Sequence, residues 1–164
     1  MISTIIQIAV LNALLAFQEP IWNGSETLSI IPAAQWVDKS EEGELSLKKY
    51  ANSSSSSLRG VISITESVTR GRDLNELWKE YVEDAFPEAF DNYEMIEKGD
   101  RVVDTHDAKY ILFKYSDMNI EFQSMSTVFI KGDKLFIISC ASTTSYYKTV
   151  ERDFIKMIDS IKLK

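Results

Sequence analysis

The chain has 164 residues, 45% of them hydrophobic, and carries 25 acidic side chains against 18 Lys and Arg for a net charge of −7 at pH 7. That size suits one ordinary globular domain with a core of its own. The acidic balance excludes a nucleic-acid partner, because binding a polyphosphate depends on Lys and Arg displacing its counterions, and an anionic membrane surface would repel the chain as well.

From Ile5 to Phe17 the sequence is almost wholly apolar, interrupted by Gln7 and Asn12 and followed by the polar stop Gln18-Glu19-Pro20. This length suits the core of a signal peptide and is too short for a membrane span. Residues 1–18 are therefore read as a signal peptide or an N-terminal apolar helix, and residues 19–164 as a single domain. No Lys or Arg precedes the run, and the best cleavage point, after Ala16, has the bulky Leu14 at its third position back. The alternative is a helix whose Ile2, Ile5, Ile6, Ala9, Ala13 and Phe17 pack on the domain at helical spacing. Run length favours export, and in that case Asn23-Gly24-Ser25 and Asn52-Ser53-Ser54 match the short acceptor pattern for glycosylation and would have to lie at the surface.

Leu28-Ser29-Ile30-Ile31-Pro32 predicts a short strand ending at its proline, with Ala33 to Val37 as a turn or loop carrying Trp36. Leu45 to Tyr50 and Gly60 to Val68 predict two further strands, joined through the serine run Ser53 to Ser57, which buries nothing and reads as a flexible loop at the tip of a long hairpin. A helix is predicted to start at Asp73, whose carboxylate can accept from first-turn amides while Glu76 completes a capping box. Leu74, Leu77, Trp78, Tyr81, Val82, Ala85, Phe86 and Ala89 form its core stripe. Pro87 should break or kink it near Phe86, or start a short second helix. Its opposite face, with Glu76, Glu80, Glu83, Asp84 and Glu88 running on to Asp91, Glu94 and Glu97, is either a surface for a basic protein partner or a solvated face that keeps the protein soluble.

Four strands are predicted next, over Tyr93 to Lys98, Lys109 to Tyr115, Ile120 to Lys131 and Lys134 to Thr143, with antiparallel pairing imposed by their short turns and the last hairpin closed at Gly132-Asp133. The final strand is apolar on both faces: Phe136, Ile138 and Cys140 on one, Leu135, Ile137 and Ala141 on the other. It should sit at the sheet's centre with a helix over each face. Cys140, the one cysteine, cannot form an internal disulfide and reads as a small core residue. A last helix from about Ser145 to Ile161 presents Tyr147, Val150, Phe154, Met157, Ile158 and Ile161 at helical spacing. The expected fold class is α+β: an α/β/α sandwich around a central antiparallel sheet of about six to seven strands.

Taken in order, the Leu28-Ser29-Ile30-Ile31-Pro32 strand with Trp36 after it, the hairpin, the helix, the antiparallel strands and a final helix ending Asp159-Ser160-Ile161-Lys162 resemble the PsbP-like superfamily. That superfamily takes in the photosystem protein PsbP, envelope lipoproteins of the DcrB and LpqN types, and the Ran-binding Mog proteins. The short pieces that carry the likeness are IIPAAQW and DSIK, and it spans roughly residues 25 to 164. It implies an α/β/α sandwich and a binding or assembly role without catalysis. Unlike the lipoprotein members, this chain has no cysteine after its apolar N-terminal run to receive a lipid. The matched positions look like framework residues, so no functional residue carries over.

Chemistry-bearing motifs are few. The six glycines are scattered, which leaves no phosphate-cradling loop, dinucleotide fingerprint or nucleophile elbow. His106 is the only histidine, and its neighbours Asp104 and Asp107 make it the one candidate for metal-assisted or acid/base chemistry. In an extended segment Asp104 and His106 would share a face, but the residue types suit a solvated turn. No pair among the acidic residues is marked out for glycoside chemistry. Of the tryptophans, Trp78 belongs to the helix stripe and Trp36 to the strand end, which leaves Trp22 as the one available for exposure. No catalytic, cofactor-binding or metal-binding residue is assigned and no cofactor is implied. The expected function is a non-enzymatic binding or assembly protein of the cell envelope or an exported compartment, periplasmic or extracellular. Its partner is an unidentified protein or envelope component, and it is not an integral membrane protein. The rival expectations are a cytoplasmic regulator like the Mog proteins, and an enzyme using Asp104, His106 and Asp107. Binding surfaces are to be sought at Ser53 to Ser57, on the acidic helix face and at Trp22.

Overall fold

A strand that is apolar on both faces is stable only inside a sheet covered on both sides, and Lys134–Thr143 occupies that position. The computed structural model describes residues 28–40, 46–52 and 59–164. The apolar run at Ile5 to Phe17, Trp22, Asn23 and Ser53 to Ser57 lie outside the described residues.

The strands are β1 (Leu28–Ser29), β2 (Trp36–Asp38), β3 (Ser46–Asn52), β4 (Val61–Val68), β5 (Asp91–Val103), β6 (His106–Asp117), β7 (Ile120–Lys131), β8 (Lys134–Thr143) and β9 (Lys162–Leu163). Helical structure comprises α1 (Leu74–Trp78), a π-helical stretch (Lys79–Ala85), α2 (Phe86–Ala89) and α3 (Thr144–Asp159). Seven strands form one sheet in the order β2-β3-β4-β8-β7-β6-β5, with β8 in the middle, while β1 and β9 make a separate two-stranded ribbon. Every pairing is antiparallel.

The tight turns explain the register. Gly132 (φ 62°) closes β7–β8 with Lys131 opposite Lys134. Asp104 (φ 42°) with Thr105 (φ 71°), and Met118 (φ 47°) with Asn119 (φ 62°), close the other two hairpins. Positive φ at both central residues matches the right-handed twist of the flanking strands, and Asn and Asp tolerate it better than most residues.

The alternation along β8 divides the interior into two cores. Phe136, Ile138 and Cys140 pack with Ile62, Ile64, Phe129 and the α3 residues Tyr147, Val150, Phe154, Met157 and Ile158. Leu135, Ile137 and Ala141 pack with Val128, Phe113, Phe122 and the helical residues Leu77, Trp78, Tyr81, Val82 and Phe86. The α/β/α sandwich read from the sequence is thus the observed fold, with helices on both faces of a seven-stranded sheet.

Several expectations are corrected. Ala33 to Val37 is not a loop throughout: the Trp36 amide donates to the Ala33 carbonyl (3.1 Å) to close a short turn, and Trp36 opens β2 opposite Asn52. The first strand stops at Ser29, and Ile31 is exposed. β5 and β6 run well past Tyr93–Lys98 and Lys109–Tyr115: β5, at the sheet's edge, adds polar residues with no apolar alternation to reveal them, and β6 extends in register with its neighbours β5 and β7. In the predicted helix Ala89 is exposed and Phe90 is buried. The π-helical stretch has more residues per turn than an α-helix, so a stripe laid out at 3.6 drifts off the core by its end. Pro87 stands at the start of the short α2, where its missing amide costs nothing. Ile161 lies beyond α3 but stays buried.

Candidate functional site

Asp104, His106 and Asp107 do not converge on a shared centre. Asp104 is in the β5–β6 turn, not an extended segment, and its backbone carbonyl accepts from His106 Nδ1 at 2.8 Å. The Asp104 carboxylate is already engaged, accepting from Lys162 Nζ (2.9 Å) and from the Leu163 amide (2.7 Å). Those two bonds, the backbone amide first, hold its pKa below the ordinary aspartate value. Asp107 is exposed on β6. Asp104 thus ties the hairpin tip to the β1–β9 ribbon, and no group of three or more His, Cys, Asp and Glu among the described residues is placed to hold a metal.

Of the tryptophans, Trp36 is buried edge-on against Phe154 (5.4 Å between centroids) and donates its indole N–H to Asp153 (2.9 Å). Trp78 is also buried in the core, while Trp22 and the serine run lie outside the described residues.

The acidic helix face separates into two sets. Glu76 accepts from the Asp73 amide to complete the capping box, Glu80 pairs with Arg72, and Glu83 pairs with Lys98 at 2.7 Å. These carboxylates serve the fold. Asp84, Glu88, Asp91 and Glu94 are exposed, and none forms an ion pair among the described residues. They follow the chain from the π-helical stretch round into the edge strand β5, where the exposed Met95 (47%) and Ile96 (42%) come next. Register shifts between Asp91 and Glu94 and between Met95 and Glu97 mark bulges at this place, which disturb the free edge.

A second feature has no forerunner among the sequence expectations. Asn75, Trp78, Lys79 and Glu83 from the helical segment, Lys98, Gly99 and Asp100 from β5, and Lys109 from β6 line an open depression of about 490 Å³. The lysines are held by carboxylates: Lys98 by Glu83, and Lys109 by Asp100 at 3.1 Å. Glu83 is kept ionised below the usual glutamate range by its bond from Lys98, with smaller help from the Trp78 indole and the Lys79 charge. Its helical wall includes the start of the π-helical stretch, an uncommon conformation that recurs at functional sites. The sequence signal was available in the period-2 spacing of Lys98 and Asp100, which places both on one face of a strand, but only the β5–β6 register brings Lys109 opposite Asp100.

No helix among the described residues is long and apolar enough to cross a membrane. No protein-family model and no curated protein sequence matches the chain. Solved structures do. LpqN of Mycobacterium tuberculosis, a protein involved in cell envelope biogenesis, superposes with a TM-score of 0.75 at 8% identity, covering 89% of this chain and 90% of that one. The Saccharomyces cerevisiae Ran-binding protein Mog1p gives 0.59 at 13% identity over 84% and 90% of the two chains. Cyanobacterial PsbP from Synechocystis gives 0.57 at 14% identity over 91% and 99%. The chain shares its fold with these three proteins.

Proposed function

We propose that this chain, with its PsbP-like fold, is a non-enzymatic binding or assembly factor of the cell envelope or an exported compartment, engaging a basic protein partner through residues 84–96. The observation that carries this reading is the row Asp84, Glu88, Asp91 and Glu94, exposed and unpaired within the described residues, ending on the exposed Met95 and Ile96. Carboxylates without an ion-pair partner among the described residues, beside a small apolar centre, have the layout of a protein interface: charge steers the encounter and the apolar residues supply the desolvated contact. Two structural neighbours lend general support, since LpqN is involved in envelope biogenesis and Mog1p binds Ran.

The test is mild crosslinking and pull-down from extracts of the native host, comparing the unaltered chain with a Glu88→Lys/Glu94→Lys variant. A Lys- and Arg-rich partner should be captured by the first and lost by the second, with capture falling as salt is raised. Absence of any charge-dependent partner, together with turnover of a substrate that depends on His106, overturns the reading. The compartment is checked separately by N-terminal sequencing of the native protein. A start just after the Ile5–Phe17 run supports export, and an intact Met1 supports a cytoplasmic regulator.

A further inference from the structure

We infer that the depression between the helical segment and the β5–β6 hairpin is a binding site for the phosphate monoester group of a small soluble molecule, held by Lys79, Lys98 and Lys109. The inference is independent of the protein interface proposed above. Its first support is the local charge. In a chain of net charge −7, this one depression is lined by Lys79, Lys98 and Lys109 against Glu83 and Asp100, a local excess of positive charge. Two further carboxylates, Glu76 one helical turn before Lys79 and Glu97 next to Lys98, stand close by but outside the lining, and charges separated by more than about 8 Å are largely screened at physiological ionic strength.

The second support is the unequal standing of the carboxylates. Glu83 pairs with Lys98 at 2.7 Å, so it orders that lysine and stays ionised. Asp100 is different: its side chain is 81% exposed and, among the described residues, its one ion pair is with Lys109, at 3.1 Å. An exposed pair of that kind is worth between zero and about 1 kcal/mol, so an incoming oxyanion displaces Asp100 into solvent at small cost. Three ammonium groups then face one carboxylate, and a dianion matches that balance better than a monoanion. Asn75 lines the same wall and offers an amide donor to a further oxygen. Asp100 is thus a placeholder for the ligand. The small size of the ligand also follows from charge, since an extended anionic surface would be repelled by the acidic remainder of a chain of net charge −7.

The test titrates the full-length, isotope-labelled chain with glycerol phosphate at physiological ionic strength, following backbone amide shifts. Saturable shifts are expected at Lys98, Gly99 and Lys109. Lys79→Gln should weaken binding about tenfold, the loss of one charge-assisted bond. Asp100→Asn should tighten it about threefold, the gain from removing an exposed competitor. Thermal unfolding of each variant confirms that it is folded, as expected for exposed positions. A parallel arm uses phosphatidylcholine vesicles with and without phosphatidic acid. Binding of glycerol phosphate without recruitment to the anionic vesicles supports a soluble ester. Recruitment to phosphatidic acid vesicles overturns the soluble assignment in favour of a lipid headgroup. Absence of saturation with either, binding indifferent to Lys79→Gln, or weaker binding in Asp100→Asn overturns the site.

Discussion

Two single residues show how local chemistry fixes distant parts of the chain. Gly60 has φ 148°, and a Cβ there would lie 2.9 Å from a ring carbon of Trp36 and 3.5 Å from Val150. Trp36 cannot yield easily, because its indole is bonded to Asp153 and packed on Phe154. Gly60→Ala therefore combines backbone strain with overpacking and should cost about 2–4 kcal/mol, read as a lower urea midpoint with unchanged slope. Asp104 acts through charge instead. Its carboxylate is stabilised in the folded state by the Leu163 amide and Lys162, so its folded pKa is depressed relative to the unfolded chain. The unfolded chain therefore takes up the proton first as pH falls. The stabilisation is present above the unfolded pKa and disappears as pH drops through the folded one. Asp104→Asn should lower the melting temperature at neutral pH, and the gap between the two proteins should close in acid. A gap that persists unchanged at low pH would show that the carboxylate charge plays no part.

At the scale of elements, the sheet's centre and its edge should respond differently to the same kind of change. Ile138 on β8 is fully buried, and Ile138→Ala should destabilise by about 2–5 kcal/mol in equilibrium unfolding, since the cavity adds to the lost transfer free energy. Val102, on edge strand β5, is 59% exposed, so Val102→Ala should stay within about 0.5 kcal/mol. The same asymmetry decided what could be read from the sequence. β7 and β8 have the predicted ends because apolar residues run to a Gly-Asp turn, and the two-faced pattern of β8 located it in the middle of the sheet. β5 was legible only in part, because a polar edge strand has no alternation to show. The two-residue β9 exists only through its long-range pairing with β1, which no local pattern encodes. The acidic face was legible as composition, but its division into Glu80 and Glu83, which are paired, and Asp84 and Glu88, which have no ion pair among the described residues, depends on where Arg72 and Lys98 come to lie. The lysine depression was illegible for the same reason: its walls are drawn from 75–83, 98–100 and 109, and only the tertiary fold joins them.

For the molecule as a whole, β8 is shared by both cores, which predicts that neither helix layer can be lost alone without exposing a face of the central strand. Cys140 provides the reporter. It is fully buried on the α3 side of β8, where burial pushes the thiol pKa upward and leaves no thiolate to react. Its partners across the sheet, Ile62 on β4 and Met125 on β7, lie on strands that hold the rest of the sheet together. Fraying of the edge strands or of the β1–β9 ribbon therefore leaves the sulfur covered, and an opening that exposes it must separate α3 from the sheet. If the two cores unfold as one unit, the labelling of Cys140 by an aromatic disulfide reagent should track global unfolding. Its opening free energy should equal that from equilibrium denaturation, and its dependence on urea should have the full equilibrium slope. A lower free energy with a shallow slope would instead mean that α3 lifts off while the opposite core stays packed. Gly60→Ala and Ile138→Ala, both on the α3 side, should accelerate labelling in proportion to their equilibrium cost. A substitution in the other core, Leu77→Ala beneath the helical segment, distinguishes the two cases, because it should accelerate labelling of Cys140 only if β8 couples the layers.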